Sequence, residues 1–390
     1  MMLLKQTDIL NCGEAVTPLY LRQRDHLYYC RRAGQVDTTK YGNKTQEQKA
    51  RHKMSINSPL FVNPEASRLF FRGVDLYLKG DIDEALETYT RSIMLYDGIS
   101  DAFHNRGLIY ARKGMSEEAI DDFTRTIELS PCSFNAFYNR GHEYRKQRQY
   151  DKAKRDYIEA TALYYPGEDA EKIVGIFTDN EKAEAVEFAV TIIKNGFYLC
   201  VQDDLQDILI SPMYFRERAI LFFDRLHTGK TILRHLKNYG ERYELRVDTD
   251  FDSIVDNCAK QHGTALLTSS FVECVRGMQG KSYETRPVSF SLYLDKKLVA
   301  GDIGIQTGRI YTSYTGYHDL PSSGTVQLIL MSRWLEQNAF AFLDLGPGLS
   351  DYKKRLGAVG MEHTVFKQLF HRWTGPRKDS RRLYPAQGFS

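Results

Sequence analysis

Hydrophobic and polar positions follow three successive patterns along the 390-residue chain. Residues 1–60 are polar and keep no sustained apolar period; the stretch GQVDTTKYGNKTQEQKARHKMSINSP reads as linker, with a few apolar anchors near Leu19–Tyr29. Residues 66–166 repeat themselves: Gly73, Gly107 and Gly141 are 34 apart, and so are Ala85, Ala119 and Ala153. From Gly196 onward strands appear. YELRVDTDF has a strand pattern, and Asp250–Lys260 is amphipathic through Phe251, Ile254, Val255 and Cys258. PVSFSLYLDKKLVAGDIGIQTGRIYTSYTGY predicts three strands with turns at Asp295-Lys296-Lys297 and Thr307-Gly308-Arg309. A helix follows from Ser322-Ser323-Gly324 to about Asn338, and AFAFLDLG predicts a buried strand.

The repeated segments, FFRGVDLYLKGDIDEALETYTRSIMLY and its two successors, resemble the tetratricopeptide repeat. The resemblance implies a helix, a tight turn and a second helix per unit, with the Gly and Ala positions leaving room for close packing. Tyr77, Tyr110, Tyr144, Leu86, Ile120, Tyr89, Phe123 and Tyr157 are expected to fill the layers, and Pro131 and Pro166 to stop two helices. One such unit cannot bury its apolar face, so stacking into a right-handed solenoid of six to eight helices between 66 and 195 is expected. Residues 168–195 are expected to cap that stack. Asn105, Arg106, Asn139 and Arg140 lie on the first helices of their units; they either solvate the helix or hold an extended peptide or acidic chain end by hydrogen bonds.

Composition narrows the class. Mean hydropathy is −0.46 and no run of about 18 apolar residues exists, which argues against a transmembrane helix. The start MMLLKQTDIL has Lys5 and Asp8 where a secretory signal needs an apolar core. Six cysteines without a CxxC pair or metal spacing fit free thiols in a reducing compartment and no metal, hence a cytoplasmic protein. The net charge of +3 is uneven: residues 1–53 carry +5 and 361–390 carry +4, leaving −6 for the body. Basic ends of this kind are solvating tails or arms for phosphate. The division expected is a basic segment 1–60, repeats with a cap 66–195, an α/β domain 196–365 and a basic tail 366–390.

The α/β portion, a meander followed by a helix and a strand, is the centre of an acetyltransferase-like (GNAT-type) domain, with about six mostly antiparallel strands. Within it, residues 196–358 resemble the leucyl/phenylalanyl-tRNA–protein transferases. The matching pieces run in order: Gly196-Phe197-Tyr198, Ile210-Ser211-Pro212, Arg218-Ala219-Ile220-Leu221, Leu226-His227, Arg234, Val247-Asp248 to Asp256-Asn257-Cys258-Ala259, His262-Gly263-Thr264, Leu267-Thr268, Val299-Ala300-Gly301, Gly308, Asp344 and Leu356-Gly357-Ala358. DLGPGLSDYKKRLG also looks like the matching segment of Fem-type and cellulose-biosynthesis-type acyltransferases.

The resemblance implies movement of an amino acid from the ester at the 3′ end of charged tRNA to the α-amino group of a protein, without cofactor or metal. It places an apolar aminoacyl pocket at Tyr311, Leu328, Met331, Leu335 and Leu343, each otherwise plain core, and a catalytic carboxylate at Asp344, otherwise a strand-end cap. Asp344 is expected at the end of a buried strand and the mouth of that pocket. Three positions depart from the family: Gly346 replaces a glutamine, Tyr314 an acid that grips the α-ammonium, and the tryptophan expected near Cys200 to stack on the terminal adenosine is missing, leaving Phe197 or Tyr198 either to stack instead or to serve as core aromatics. Asp302 replaces an apolar pocket residue and either pairs with a basic aminoacyl group or the α-ammonium of the substrate, or sits at a solvated strand end. Residues 214–246 hold eight Lys/Arg against four Asp/Glu; Arg218, Arg225, Lys230, Arg234 and Lys237 are candidates for the tRNA acceptor stem, or plain solvated residues. Three functions remain open: an aminoacyl-tRNA–protein transferase whose repeats select the acceptor, an acyl-CoA-dependent N-acyltransferase, disfavoured by the lack of QxxGxG, and a catalytically inactive peptide-binding scaffold.

Overall fold

Small residues at fixed spacing decide how the first half packs. A computed structural model describes residues 62–203, 205–263, 267–279 and 284–374. Helices α1 (Pro64–Lys79), α2 (Ile82–Leu95), α3 (Ser100–Arg112), α4 (Ser116–Leu129), α5 (Phe134–Lys146) and α6 (Tyr150–Tyr164) form three consecutive pairs. A Cβ at Gly73 would lie 2.7 Å from the Tyr89 ring, and one at Gly107 would lie 2.9 Å from the Phe123 ring. Glycine therefore lets each partner helix bring an aromatic against the backbone. Tyr89, Phe123 and Tyr157 are buried accordingly, whereas Tyr110 and Tyr144 are half-buried. Asn63 caps α1 by accepting from the Ala66 N–H, and Gly80 ends it in the left-handed region.

The chain divides into two compact units, Met1–Ile176 and Phe177–Ser390, with the short strand β1 (Gly175–Phe177) at the division. Helix α7 (Lys182–Lys194), expected to cap the repeats, lies in the second unit. There it packs on α10 (Ser269–Gly277) and on the hairpin β2 (Leu199–Gln202) and β3 (Ile208–Pro212). Its buried Ala185, Val186, Ala189, Val190, Ile192 and Ile193 supply the apolar face for this.

The second unit is built on a seven-stranded sheet in the order β10-β4-β9-β8-β7-β6-β5. The strands are β4 (Glu217–Leu221), β5 (Tyr243–Val247), β6 (Thr285–Leu294), β7 (Lys297–Thr307), β8 (Ile310–His318), β9 (Phe342–Pro347) and β10 (Val359–Glu362). All neighbours are antiparallel except β8 and β9. That parallel pair needs a crossover, which α11 (Ser323–Gln337) provides. Asp295 and Lys296 both take positive φ, the backbone of a tight hairpin turn between β6 and β7.

Alternation along the strands gives the sheet two apolar faces. On one, Ala219, Leu221, Phe290, Tyr311 and Leu343 pack with Met331 and Leu335 of α11. On the other, Ile220, Ile310 and Phe342 pack with Phe366 and Phe370 of α13 (His363–Thr374). Residues 366–374, expected as the start of a basic tail, are helical instead: two aromatics four apart hold this helix on the sheet. The remaining helices are α8 (Lys230–Tyr239), α9 (Phe251–His262) and α12 (Asp351–Arg355). The segment 1–60 and residues 375–390 lie outside the described residues.

Candidate active site

One of the register shifts in the sheet falls in β8. Gly304 of β7 pairs with Ser313 and Ile303 pairs with Thr315, so Tyr314 is an extra residue, a β-bulge. Around it Ser313, Tyr314, Thr315 and Gly316 are half-buried, while the flanking Tyr311 and Tyr317 are buried. Asp302 of β7 lies opposite Gly316 and Phe290, 4% exposed, on the α11 face. Its Oδ1 accepts from the Tyr311 hydroxyl at 2.6 Å and its Oδ2 from the Ser313 hydroxyl at 2.6 Å. Gly304 makes the first contact possible, since a Cβ there would strike the Tyr311 ring. Burial pushes the Asp302 carboxyl up to about 7, against the two hydroxyl donors that pull it down. No ion pair to Asp302 forms among the described residues. Asp302 is therefore buried rather than at a solvated strand end.

Asp344 is on the opposite face of β9 from Leu343 and is 0% exposed. The register that sets Thr312 and Ile220 beside it carries it under α13. Arg218 donates to its Oδ2, Thr312 donates to the same oxygen at 3.0 Å, and the Gly346 N–H donates to Oδ1 at 2.9 Å. The Arg218 guanidinium also donates to the Gly196 carbonyl at 2.8 Å and stacks 3.9 Å over Phe366. Asp344 is fully buried rather than open to solvent, and Arg218, expected to track nucleic acid, is its buried counter-ion, 1% exposed and out of reach of a nucleic-acid backbone.

The expected apolar pocket is a packed cluster. Tyr311, Met331, Leu335 and Leu343 are each 0% exposed, and only Leu328 is half-buried at its edge. Tyr314 is turned to the other side, where it stacks on Tyr198 at 4.2 Å between ring centres and its hydroxyl accepts from the Leu199 N–H. Gly346 takes φ +74°, and a Cβ there would lie 3.1 Å from the Tyr198 ring. A side chain at that position meets both a backbone penalty and an occupied space. Lys353 of α12 is buried, donates to the Pro347 and Gly348 carbonyls at 2.8 and 3.0 Å, and is pushed down to about 8 by burial.

Of the remaining basic candidates, Arg225, Lys230, Arg234 and Lys237 are exposed and form no ion pair among the described residues. The last three share α8, which meets the sheet through Ile232 and Leu236 and through His235, whose ring nitrogen is 2.9 Å from the Tyr243 hydroxyl of β5. In the repeats, Arg106 and Arg140 are engaged internally. Arg106 grips both oxygens of Asp122 at 2.8 Å and reaches Thr90; Arg140 grips Asp156 at 2.8 Å and reaches Thr124 at 3.0 Å. Asn105 is buried against the Tyr89 hydroxyl. These three side chains are engaged within the repeats, and Asn139 is half-buried on α5. Among the described residues no group of three or more His, Cys, Asp or Glu is placed to hold a metal ion, and no helix is long and apolar enough to cross a membrane.

Sequence reasoning missed Ser313 and Thr312, whereas Tyr198, named as a possible stacking aromatic, is buried against Tyr314. The first two alternate within YTSYTGY, where a hydroxyl on each face of one strand was the available signal.

Comparison with known proteins agrees with this architecture. Residues 220–371, from β4 to α13, match the sequence profile of the family described as leucyl/phenylalanyl-tRNA protein transferase, and residues 100–131 and 134–165 match that of the tetratricopeptide repeat. A leucyl/phenylalanyl-tRNA–protein transferase of Nitratidesulfovibrio vulgaris (strain DP4) is 27% identical over 159 residues, 40% of this chain and 65% of that protein. One of Rubrobacter xylanophilus is 26% identical over 150 residues, 38% of this chain and 75% of the relative. Among solved structures, the second tetratricopeptide domain of Spaghetti bound to an HSP90 peptide is 28% identical, covering 25% of this chain and 92% of that one, with a TM-score of 0.25. The chain thus carries tetratricopeptide repeats followed by a domain related to the leucyl/phenylalanyl-tRNA–protein transferases.

Proposed function

We propose that the second unit moves an amino acid from the 3′ ester of a charged tRNA to the amine of an acceptor protein, and that the repeats recruit the acceptor. The observation that carries this reading is the family match over 220–371, which takes in the sheet from β4 to β10 together with α11 and α13. The donor is already an activated ester, so the reaction requires no cofactor. Binding both substrates side by side supplies much of the rate.

In this reading Arg225, Lys230, Arg234 and Lys237 hold the acceptor stem through its phosphates, for which exposed charge and reach suffice. The aminoacyl group enters beside Leu328 and the half-buried bulge of β8, at the edge of the packed cluster. Asp344, saturated by Arg218, Thr312 and the Gly346 amide, acts as a positioning residue for the glycine-rich turn that follows β9. Charged tRNA as donor implies action in the cytoplasm.

The test is to incubate the full chain with total charged tRNA, or with acetyl-CoA, and a library of peptides with free N-termini, followed by mass spectrometry. Peptides heavier by one amino-acid residue only with charged tRNA are expected. Acetylated peptides establish the acyl-CoA reading instead, and unmodified peptides retained by the repeats establish the scaffold.

A further inference from the structure

Amide formation must remove a proton from the attacking amine, and Asp344 is unsuited to take it. Its carboxylate is fully buried, paired with Arg218 and engaged by two further donors. The α11 face offers a different group. Ser313 is half-buried on the bulge, and its hydroxyl donates to Asp302 Oδ2 at 2.6 Å. The absence of a side chain at Gly316, where a Cβ would lie 3.1 Å from that same oxygen, keeps the carboxyl just beneath the surface. Tyr311 fixes the other oxygen from below.

Building on the transferase reading, we propose that Ser313 and Asp302 form the proton relay of the reaction. As the amine nitrogen bonds to the acyl carbon and the ester C–O bond breaks, Ser313 Oγ takes a proton from the amine while passing its own to Asp302 Oδ2. The same route returns the proton to the departing ribose oxygen. No electrons are exchanged with a third partner, and Asp302 ends each cycle as it began. Ser313 and Asp302 are then catalytic residues and Tyr311 a positioning residue.

The ionisable groups around Asp302 include four that stay protonated and, on α9, His262, whose ring nitrogen is 2.9 Å from the Gly316 carbonyl. Tyr311 and Tyr198 are held protonated by burial, and the Cys258 thiol of α9 is pushed up to about 12 by the same cause, while the Tyr352 phenol of α12 is raised as well. Burial also places the Asp302 carboxyl where a general base works at neutral pH.

Transfer is measured on the full chain from pH 5.5 to 9 in wild type, Ser313→Ala, Ser313→Thr, Asp302→Asn and Tyr311→Phe. In wild type kcat is expected to rise with an inflection near the Asp302 value of about 7. Ser313→Ala and Asp302→Asn should lower kcat by roughly 10²–10⁴ with little change in KM, and Asp302→Asn should abolish the inflection. Ser313→Thr should restore most of the rate. Tyr311→Phe removes a donor to the carboxylate and should move the inflection to higher pH. Retained tRNA binding and unchanged circular dichroism show that each variant is folded. An active wild type whose Ser313→Ala variant keeps its kcat and pH profile overturns the relay and leaves the transferase reading standing. So does a change in KM alone, or an acyl group found covalently on Ser313. A wild type that transfers nothing overturns both.

Discussion

Replacing Arg218 by methionine tests whether the Arg218–Asp344 pair organises the sheet. Methionine keeps the apolar stem against Phe366 and removes the guanidinium that pairs with Asp344 and donates to the Gly196 carbonyl. Asp344 is 0% exposed, so its charge then rests on Thr312 and the Gly346 amide alone. Breaking one side of a buried ion pair costs about 3–5 kcal/mol. The hydrogen bond to Gly196 and the stacking on Phe366 fall within the same change and do not add in full. With a urea dependence of about 2 kcal/mol per molar, the unfolding midpoint of the second unit should fall by roughly 2 M. Urea titration followed by tryptophan fluorescence reads this directly, because Trp334 and Trp373 both lie in that unit. The double variant Arg218→Met with Asp344→Leu should recover most of the stability, since two apolar side chains replace a buried pair at little net cost. A single variant within about 0.5 kcal/mol of wild type, the range of an ordinary surface change, would refute the buried-pair account. So would a double variant weaker than the single one.

Changing Arg225, Lys230, Arg234 and Lys237 to glutamine should flatten the log–log salt dependence of tRNA binding by a little under one for every phosphate that is no longer neutralised; an unchanged slope places the tRNA elsewhere. Gly346→Gln, which restores the family's residue, should lower stability by about 1–3 kcal/mol and leave transfer no faster, because φ is +74° and Tyr198 fills the space. A faster enzyme would show that Tyr198 moves aside. His104 is buried beside Phe123 and depressed to about 4. The unfolded chain therefore takes up a proton near 6.5 that the folded one refuses, and repeat stability present above that pH is lost as pH falls toward 4. In His104→Leu the thermal midpoint should drop less between pH 7.5 and 5 than in wild type; parallel curves would rule this out.

The repeats were legible because they are local: the 34-residue spacing of Gly107 and Ala119 is a short-range rule that fixes which side chains meet. The meander and its turns were legible for the same reason. The site was not. Asp344 and Asp302 look alike in sequence, each an acid within an apolar strand, but strand register sends them to opposite faces. Arg218 lies among surface-like charges in YFRERAIL, yet pairing of β4 with β9 carries it inward. Long-range register is invisible to a local pattern, and so is a bulge: Tyr314 occupies the place expected for an acid, but the extra residue aims its ring at Tyr198.

The paired arginines of the repeats have a mechanical consequence. Arg106 joins α3 to α4 and also to α2; Arg140 joins α5 to α6 and also to α4. Each guanidinium is a cross-tie linking one unit to the unit before it, so opening one unit strips a tie from its neighbour. The equivalent position in the first unit lacks this device, because Thr88 stands where Asp122 and Asp156 stand, and Arg72 pairs instead with Glu84 at the exposed surface. A solenoid tied in this way has graded cooperativity. Its second and third units should open together, and α1 should be the first helix to exchange its amide protons, so that the stack loosens from that side while the remaining pairs stay closed.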